Sequence, residues 1–382
     1  MVNSLLFRAV KEKASDIHIE PYEKDMAVRF RIDGILFDVF KPPKKLQNAI
    51  TSRLKVMANL NIAEKRLPQD GRIPLKVGGK DIDIRVNVVP TSHGERIVMR
   101  LQDRSNVILE LEQLGFSEEI MTKIDELISR TYGILLVTGP TGSGKSTTLY
   151  ACLTRLNKPD VNILTVEDPV EQRVHGTGQV QVNSKIGLPF AAGLRAFLRQ
   201  DPDIIMIGEI RDLETAELAL NASLTVHLVL STIHANDSSG AFPRLIDIGA
   251  EPFLIATSIL GVAAQRLLRV LCPHCKVKQD VSDFQLGILG ITREQAAHAN
   301  IHMAVGCSQC NQKGYIGRTI IAELLVVNDD IRSLIMQRKD GNSIRRAAVA
   351  NGMKTFRDHG ILKVLAGITT IEELVTNTQL DL

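Results

Sequence analysis

The chain contains no tryptophan, and aromatic residues make up only 4% of it. Stacking platforms for nucleobases are therefore scarce. Net charge is small, +3 over 382 residues, which argues against a nucleic-acid partner held through its phosphates. No apolar run approaches the roughly 20 residues of a membrane-spanning helix. The richest, Phe253 to Ala264, is broken by Thr257 and Ser258, so any membrane role is expected to run through a partner. The start, Met1-Val2-Asn3-Ser4-Leu5, lacks the basic, apolar and small-residue regions of a signal peptide. There are five cysteines, four of them in two C-x-x-C pairs. That pattern fits a metal site in a reducing compartment better than a disulfide framework. What remains is an ordinary globular balance, 23% charged and 44% hydrophobic, in a chain long enough for two or three domains.

Against these absences stands one complete motif. Gly139, Pro140, Thr141, Gly142, Ser143, Gly144, Lys145 and Ser146, followed by Thr147, form a G-x-x-x-x-G-K-[ST] phosphate loop. It follows the apolar run Ile134-Leu135-Leu136-Val137 and opens a helix-prone stretch. The motif requires this strand–loop–helix context. Glycines let the backbone close around phosphates where a Cβ would block the approach. Free N–H groups of the loop and the helix start point at the anion. Lys145 supplies a point charge for the β- and γ-phosphates, and Ser146 a hydroxyl for Mg²⁺. The segment predicts binding of a nucleoside triphosphate.

Patterning divides the chain. Residues 1–104 read as an α+β unit: a helix-like start, then period-two runs such as Ala27–Ile32 and Ile35–Phe37 joined by the turn pair Asp33-Gly34. Residues 105–270 read as a mostly parallel α/β sheet, with apolar runs Ile134–Val137, Asn162–Val166, Ile204–Ile207 and Leu228–Ser231 between helical segments. Residues 271–327 carry the cysteine pairs, and 328–382 look helical.

In such a sheet, ligands bind beyond the carboxyl ends of the strands. The four runs are followed there by the phosphate loop, by Glu167, by Glu209 with Arg211, and by Thr232 with His234. Phosphoryl transfer needs a metal, an oriented water and positive charge at the γ-phosphate. Glu209 and Glu167 are candidates for metal and water, and the sequence leaves the division between them open. His234 is a candidate donor to the γ-phosphate. His227 falls at the opposite, amino end of its strand. Arg195 and Arg199 are spaced i, i+4 on one expected helix face. Arg85 and Arg100, on strands of the first unit, are either a solvated face or a cationic finger.

Cys272-Pro273-His274-Cys275 and Cys307-Ser308-Gln309-Cys310 form two knuckles whose four thiolates fit tetrahedral Zn²⁺. Cys-Pro-His-Cys is also a redox dithiol pattern, but that chemistry wants the first cysteine at a helix start after a strand. Ser258 to Leu271 reads instead as helix-like. A closed structural zinc site is the expectation.

Three segments together resemble the secretion ATPase superfamily: Ile163–Glu171, Leu198–Asp212 and Leu228–Asn236. They are similar to its aspartate box, its second nucleotide-binding motif and its histidine box. Ser15–Pro21 and Lys65–Arg72 also match, and the tetracysteine insertion resembles that of type II secretion assembly ATPases and many pilus extension ATPases. The resemblance implies a RecA-like ATPase core, ATP with Mg²⁺, and a smaller N-terminal domain whose Arg85 and Arg100 contact nucleotide. It implies roles for Arg195, Arg199, Arg211 and Arg318 in subunit contacts or activity. It further implies a hexamer on the cytoplasmic face of a bacterial inner membrane. There it drives pseudopilus assembly through platform proteins, reached by a partner with a cytoplasmic domain. The same resemblance implies an amino-terminal docking module ahead of residue 1, so the chain reads as a truncated form. Val226 stands where the family usually has glycine. The alternatives are pilus extension and, less favoured, a RecA-like DNA translocase.

Overall fold

The computed structural model describes residues 1–103 and 108–378. It divides into two compact units, Met1–Val107 and Ile108–Leu382.

The first unit is a six-stranded antiparallel sheet on two helices. Its strands are β1 (Asp16–Pro21), β2 (Met26–Ile32), β3 (Ile35–Phe40), β4 (Gln69–Val77), β5 (Lys80–Thr91) and β6 (Gly94–Asp103), in the order β3-β2-β1-β6-β5-β4. Asp33 and Gly34 both take positive φ, 49° and 88°, as a two-residue turn matched to strand twist demands. Alternation buries one face: Ile17, Ile19, Val28, Phe30, Ile84, Val86, Ile97 and Met99 pack against Leu6 of helix Val2–Lys11 and Leu54 of helix Gln47–Met57. The other face carries charge. Arg72, Arg85, Arg100, Asp16 and Arg31 form one cross-strand row. The edge strand β4 was not among the runs legible in sequence, because only Ile73 along it is buried.

The second unit is built on seven strands: β7 (Gly133–Thr138), β8 (Ile163–Glu167), β9 (Gly178–Gln181), β10 (Ile204–Ile207), β11 (Leu228–Ile233), β12 (Ile259–Leu271) and, beyond the short pair β13 (Val277–Lys278) and β14 (His302–Met303), β15 (Tyr315–Val326). The order is β15-β12-β7-β11-β10-β8-β9, with β15 alone antiparallel to its neighbour. Both faces are covered. Ile134 and Leu136 point into one helix-packed core, while Leu135 and Val137 point into the other. This explains why the parallel strands read as unbroken apolar runs.

Two sequence expectations need correction here. Ser258 to Leu271 is not helix-like; Ile259–Leu271 is the strand between β7 and β15. Buried on both faces, it shows no period of two, and a continuous apolar run does not separate strand from helix. The segment 271–327 is likewise not wholly a cysteine module, because the sheet takes Tyr315–Val326. Helices Asp329–Met336, Gly341–Ala350, Phe356–Leu365 and Ile371–Thr378 follow. Arg195 lies in helix Phe190–Phe197, and Arg199 falls beyond its end. No helix among the described residues is long and apolar enough to cross a membrane.

Val226 holds a left-handed φ of 69° and is 71% exposed. A β-branched residue there is strained and has little packing to lose. Val226→Gly is therefore expected to stabilise the protein by about 1 kcal/mol net of glycine's entropy, a rise in melting temperature of about 2 °C. A calorimetric midpoint that fails to rise would show that the backbone is relaxed there.

Candidate nucleotide and metal sites

The phosphate loop leaves β7 and enters helix Lys145–Leu156. Its geometry depends on glycine at two points. A Cβ on Gly139 would lie 2.3 Å from the Gln265 carbonyl oxygen, and Gly144 caps the helix at φ 89°. Gln265, wholly buried on β12, grips the loop from outside. Its Nε2 donates to the Ser143 carbonyl at 2.8 Å, and its Oε1 accepts from Thr148 Oγ1 at 2.9 Å. Sequence reading missed Gln265. Its signal was the amide that directly follows the apolar run 259–264.

Ser143 Oγ is buried and meets no hydrogen-bond partner among the described residues, so it is able to donate to an anion's oxygen. Lys145 Nζ donates to the carbonyls of Gly139 at 2.8 Å and Pro140 at 3.2 Å. Burial lowers the pKa of this ammonium, and the Glu209 carboxylate works against that shift. Pro140, Thr141 and Gly142 form the exposed loop tip, while Ser146 and Thr147 are half-buried in the first turn.

Strand order brings the next groups alongside. β11 lies between β7 and β10, so His234 sits between the phosphate loop and Glu209. His234 Nε2 is 2.8 Å from Glu209 Oε1, and Arg211 Nε donates to Glu209 Oε2 at 2.6 Å. Thr232, after the same strand core, donates to the Gly208 carbonyl at 2.7 Å and fixes the approach to Glu209. Glu209, His234 and Arg211 thus form one polar cluster, and the Glu209 charge acts on Lys145.

Glu167 stands apart in a separate network. It is buried at the end of β8 and accepts from Thr165 Oγ1 at 2.5 Å, from Gln179 Nε2 at 3.1 Å and from the Tyr150 hydroxyl. Three of its roughly four acceptor sites are taken. Burial, with Glu167 beside it, pushes the Tyr150 phenol far above its usual range, so Tyr150 remains a donor.

Other candidates lie elsewhere. His227 Nδ1 is 2.9 Å from the Ala222 carbonyl and closes the end of helix Leu213–Leu224. Arg195 pairs with Glu214, and Arg199 donates to the Arg195 carbonyl at 2.9 Å. In the first unit, Arg100 Nε donates to Asp16 Oδ1 at 3.0 Å, and Arg85 Nη2 to Gln102 Oε1 at 3.0 Å. Arg318 lies opposite Arg269 on β15.

The four cysteines converge. Sγ atoms lie 3.9 Å apart for Cys272 and Cys307, 3.8 Å for Cys275 and Cys310, and 3.8 Å for Cys307 and Cys310. A tetrahedron with Zn–S of about 2.3 Å has edges of about 3.8 Å, so the donor set fits the ion. Backbone N–H groups of Cys307 and Gly314 reach Cys310 Sγ at 3.2 Å each. Burial alone would raise that thiol, but these donors together with the neighbouring Cys307 and Cys275 thiols lower its pKa. Cys272 does follow a strand, contrary to the sequence reading, yet turn residues rather than a helix come after it. The redox arrangement still lacks its helix start.

The family profile described as "Type II/IV secretion system protein" matches residues 1–376. The chain belongs to this family. It is an α/β P-loop ATPase of that group. It is 53% identical over 99% of its length to type II secretion system protein E of Pseudomonas aeruginosa, and it spans 75% of that protein. It is 52% identical over its full length to the type IV pilus assembly ATPase PilB of Myxococcus xanthus, of which it spans 68%. Among solved structures, the pilus retraction motor PilT with bound ADP superposes with a TM-score of 0.63 at 26% identity, covering 98% of this chain and 96% of that one. The Legionella pneumophila ATPase DotB shares the fold, with a TM-score of 0.68 at 22% identity over 98% and 94% of the two chains.

Proposed function

We propose that this secretion ATPase hydrolyses ATP to drive type II secretion from the cytoplasmic face of the inner membrane. It works as a hexamer that moves pseudopilus-assembling platform proteins. One observation carries the reading: the Lys145 loop and the hydrogen-bonded Glu209–His234–Arg211 cluster lie at the same end of the parallel strands β7, β11 and β10. In the reaction, a water oxygen forms a bond to the γ-phosphorus and the bond from that phosphorus to the β-bridging oxygen breaks. ADP and inorganic phosphate result. Residues 139–147 hold the phosphates through backbone N–H groups and Lys145. His234 and Arg211 offer donors and charge to the γ-phosphate. Glu209 and Glu167 share the metal and the water, with Glu209 nearer the lysine's charge. Mg²⁺ would be held by Ser146 and Glu209 and, when bound, would neutralise charge on the phosphate oxygens.

The relatives named for type II secretion favour that cargo, and PilB supports pilus extension as the second reading. A type II secretion protein E whose matching segment is replaced by this chain is expected to restore export to a secretion-deficient strain. Rescue of piliation alone, in a PilB-deficient strain, would move the assignment to pilus extension.

Zinc completes the proposal as a structural ion of Cys272, Cys275, Cys307 and Cys310, fastening a segment too small to bury a core. Elemental analysis of reduced, unchelated protein is expected to find about one zinc per chain. Cys307→Ser with Cys310→Ser should lose it and expose residues 272–314 to protease while ATP binding survives. Metal-free wild-type protein with a protease-resistant segment would remove the ion from the structure.

A further inference from the structure

Glu323 is a buried carboxylate that the hydrolysis scheme does not use. It sits on β15 at 0% side-chain exposure. A buried carboxylate is costly unless hydrogen-bonded partners surround it, and here they come from three other segments. Arg345 Nη2 of helix Gly341–Ala350 lies 2.9 Å from Oε1. The Phe356 N–H, in the first turn of helix Phe356–Leu365, donates to Oε1 at 3.2 Å. Ser238 Oγ donates to Oε2 at 3.3 Å.

Ser238 belongs to the loop that begins at His234. The near end of that loop is tied to the phosphate loop's own strand. The Ala235 N–H donates to Thr138 Oγ1 at 2.9 Å, and Thr138 immediately precedes Gly139. Its far end is tied to Glu323. A second charge reinforces the far tie. Arg266 Nη2 reaches the Asn236 carbonyl at 3.4 Å, its guanidinium lies 4.4 Å from the centre of the Phe356 ring, and Nη1 donates to the Asn377 carbonyl. Phe356 thus meets both charges, by its N–H and by its ring.

We propose that Glu323 is a positioning residue for hydrolysis. Through Ser238 it sets the loop that holds His234 against Glu209, and through Arg345 and Phe356 it ties that loop to the C-terminal helices. His234 is 54% exposed at its side chain, so little else packs the imidazole in place. The loop backbone decides where it points. The inference rests on the hydrolysis reading, and its test separates the two.

The test compares Ser238→Ala, Glu323→Gln and the double variant in the assembled protein. Ser238→Ala removes the loop-side bond and leaves the Arg345 and Phe356 contacts intact. Its kcat is expected to fall about tenfold with KM for ATP within about twofold, since a small misplacement near the chemistry costs rate rather than binding. Glu323→Gln should do the same, and the double variant should fall no further than the worse single. Wild-type turnover by Ser238→Ala overturns the proposal, as do additive losses or a KM that rises as kcat drops. A wild-type protein that releases no phosphate would instead sink the hydrolysis reading itself.

Discussion

Glu209→Gln is expected to bind ATP with near-normal affinity and to lose turnover by about two to three orders of magnitude. The substitution keeps the shape and removes the charge. In the structure that charge is shared between His234 at 2.8 Å and Arg211 at 2.6 Å, and it acts on Lys145. An amide neither draws in Mg²⁺ nor takes a proton from water, so the developing transition state loses its carboxylate while the phosphate grip remains. Steady-state phosphate release beside labelled-ATP binding measures both quantities. Glu167→Gln is the control. Its Oε1 accepts from Thr165 and Gln179 and its Oε2 from Tyr150, so an amide nitrogen at either position faces a donor. That variant is expected to lose thermal stability as well as activity. Normal turnover by Glu209→Gln would remove Glu209 from the reaction, and loss confined to Glu167→Gln with unchanged melting would give Glu167 the water.

Lys145→Ala is expected to raise the dissociation constant for ATP by about a hundredfold, the worth of a charge-assisted contact to phosphate. Lys145 rests on two carbonyls, at 2.8 and 3.2 Å, and it is expected to exchange them for phosphate oxygens when nucleotide arrives. The loop itself should survive, because Gln265 holds Ser143 and Thr148 from β12. Fluorescence titration with a labelled nucleotide checks the affinity, and melting checks the loop. Affinity within about twofold of wild type would contradict the phosphate-loop assignment.

Some chemistry was legible because it is contiguous. Residues 139–147 form a phosphate-loop motif from consecutive residues, and each cysteine knuckle places two thiols within four residues. Strand ends were legible as well, since buried parallel strands read as apolar runs and polar residues mark where they stop. The error over 258–271 has the same root: where both faces are buried, periodicity vanishes and strand and helix look alike.

The order of residues by itself determined that a phosphate-loop motif follows an apolar run and that four thiols come as two pairs. Both depend on neighbours along the chain. Only the tertiary structure placed Glu209 against His234, because that follows from β10 lying next to β11 in the sheet. It alone joined Gln265 to Ser143, 122 positions away, and Ser238 to Glu323, 85 positions away. Contacts at such separations are set by packing order, which no local pattern records.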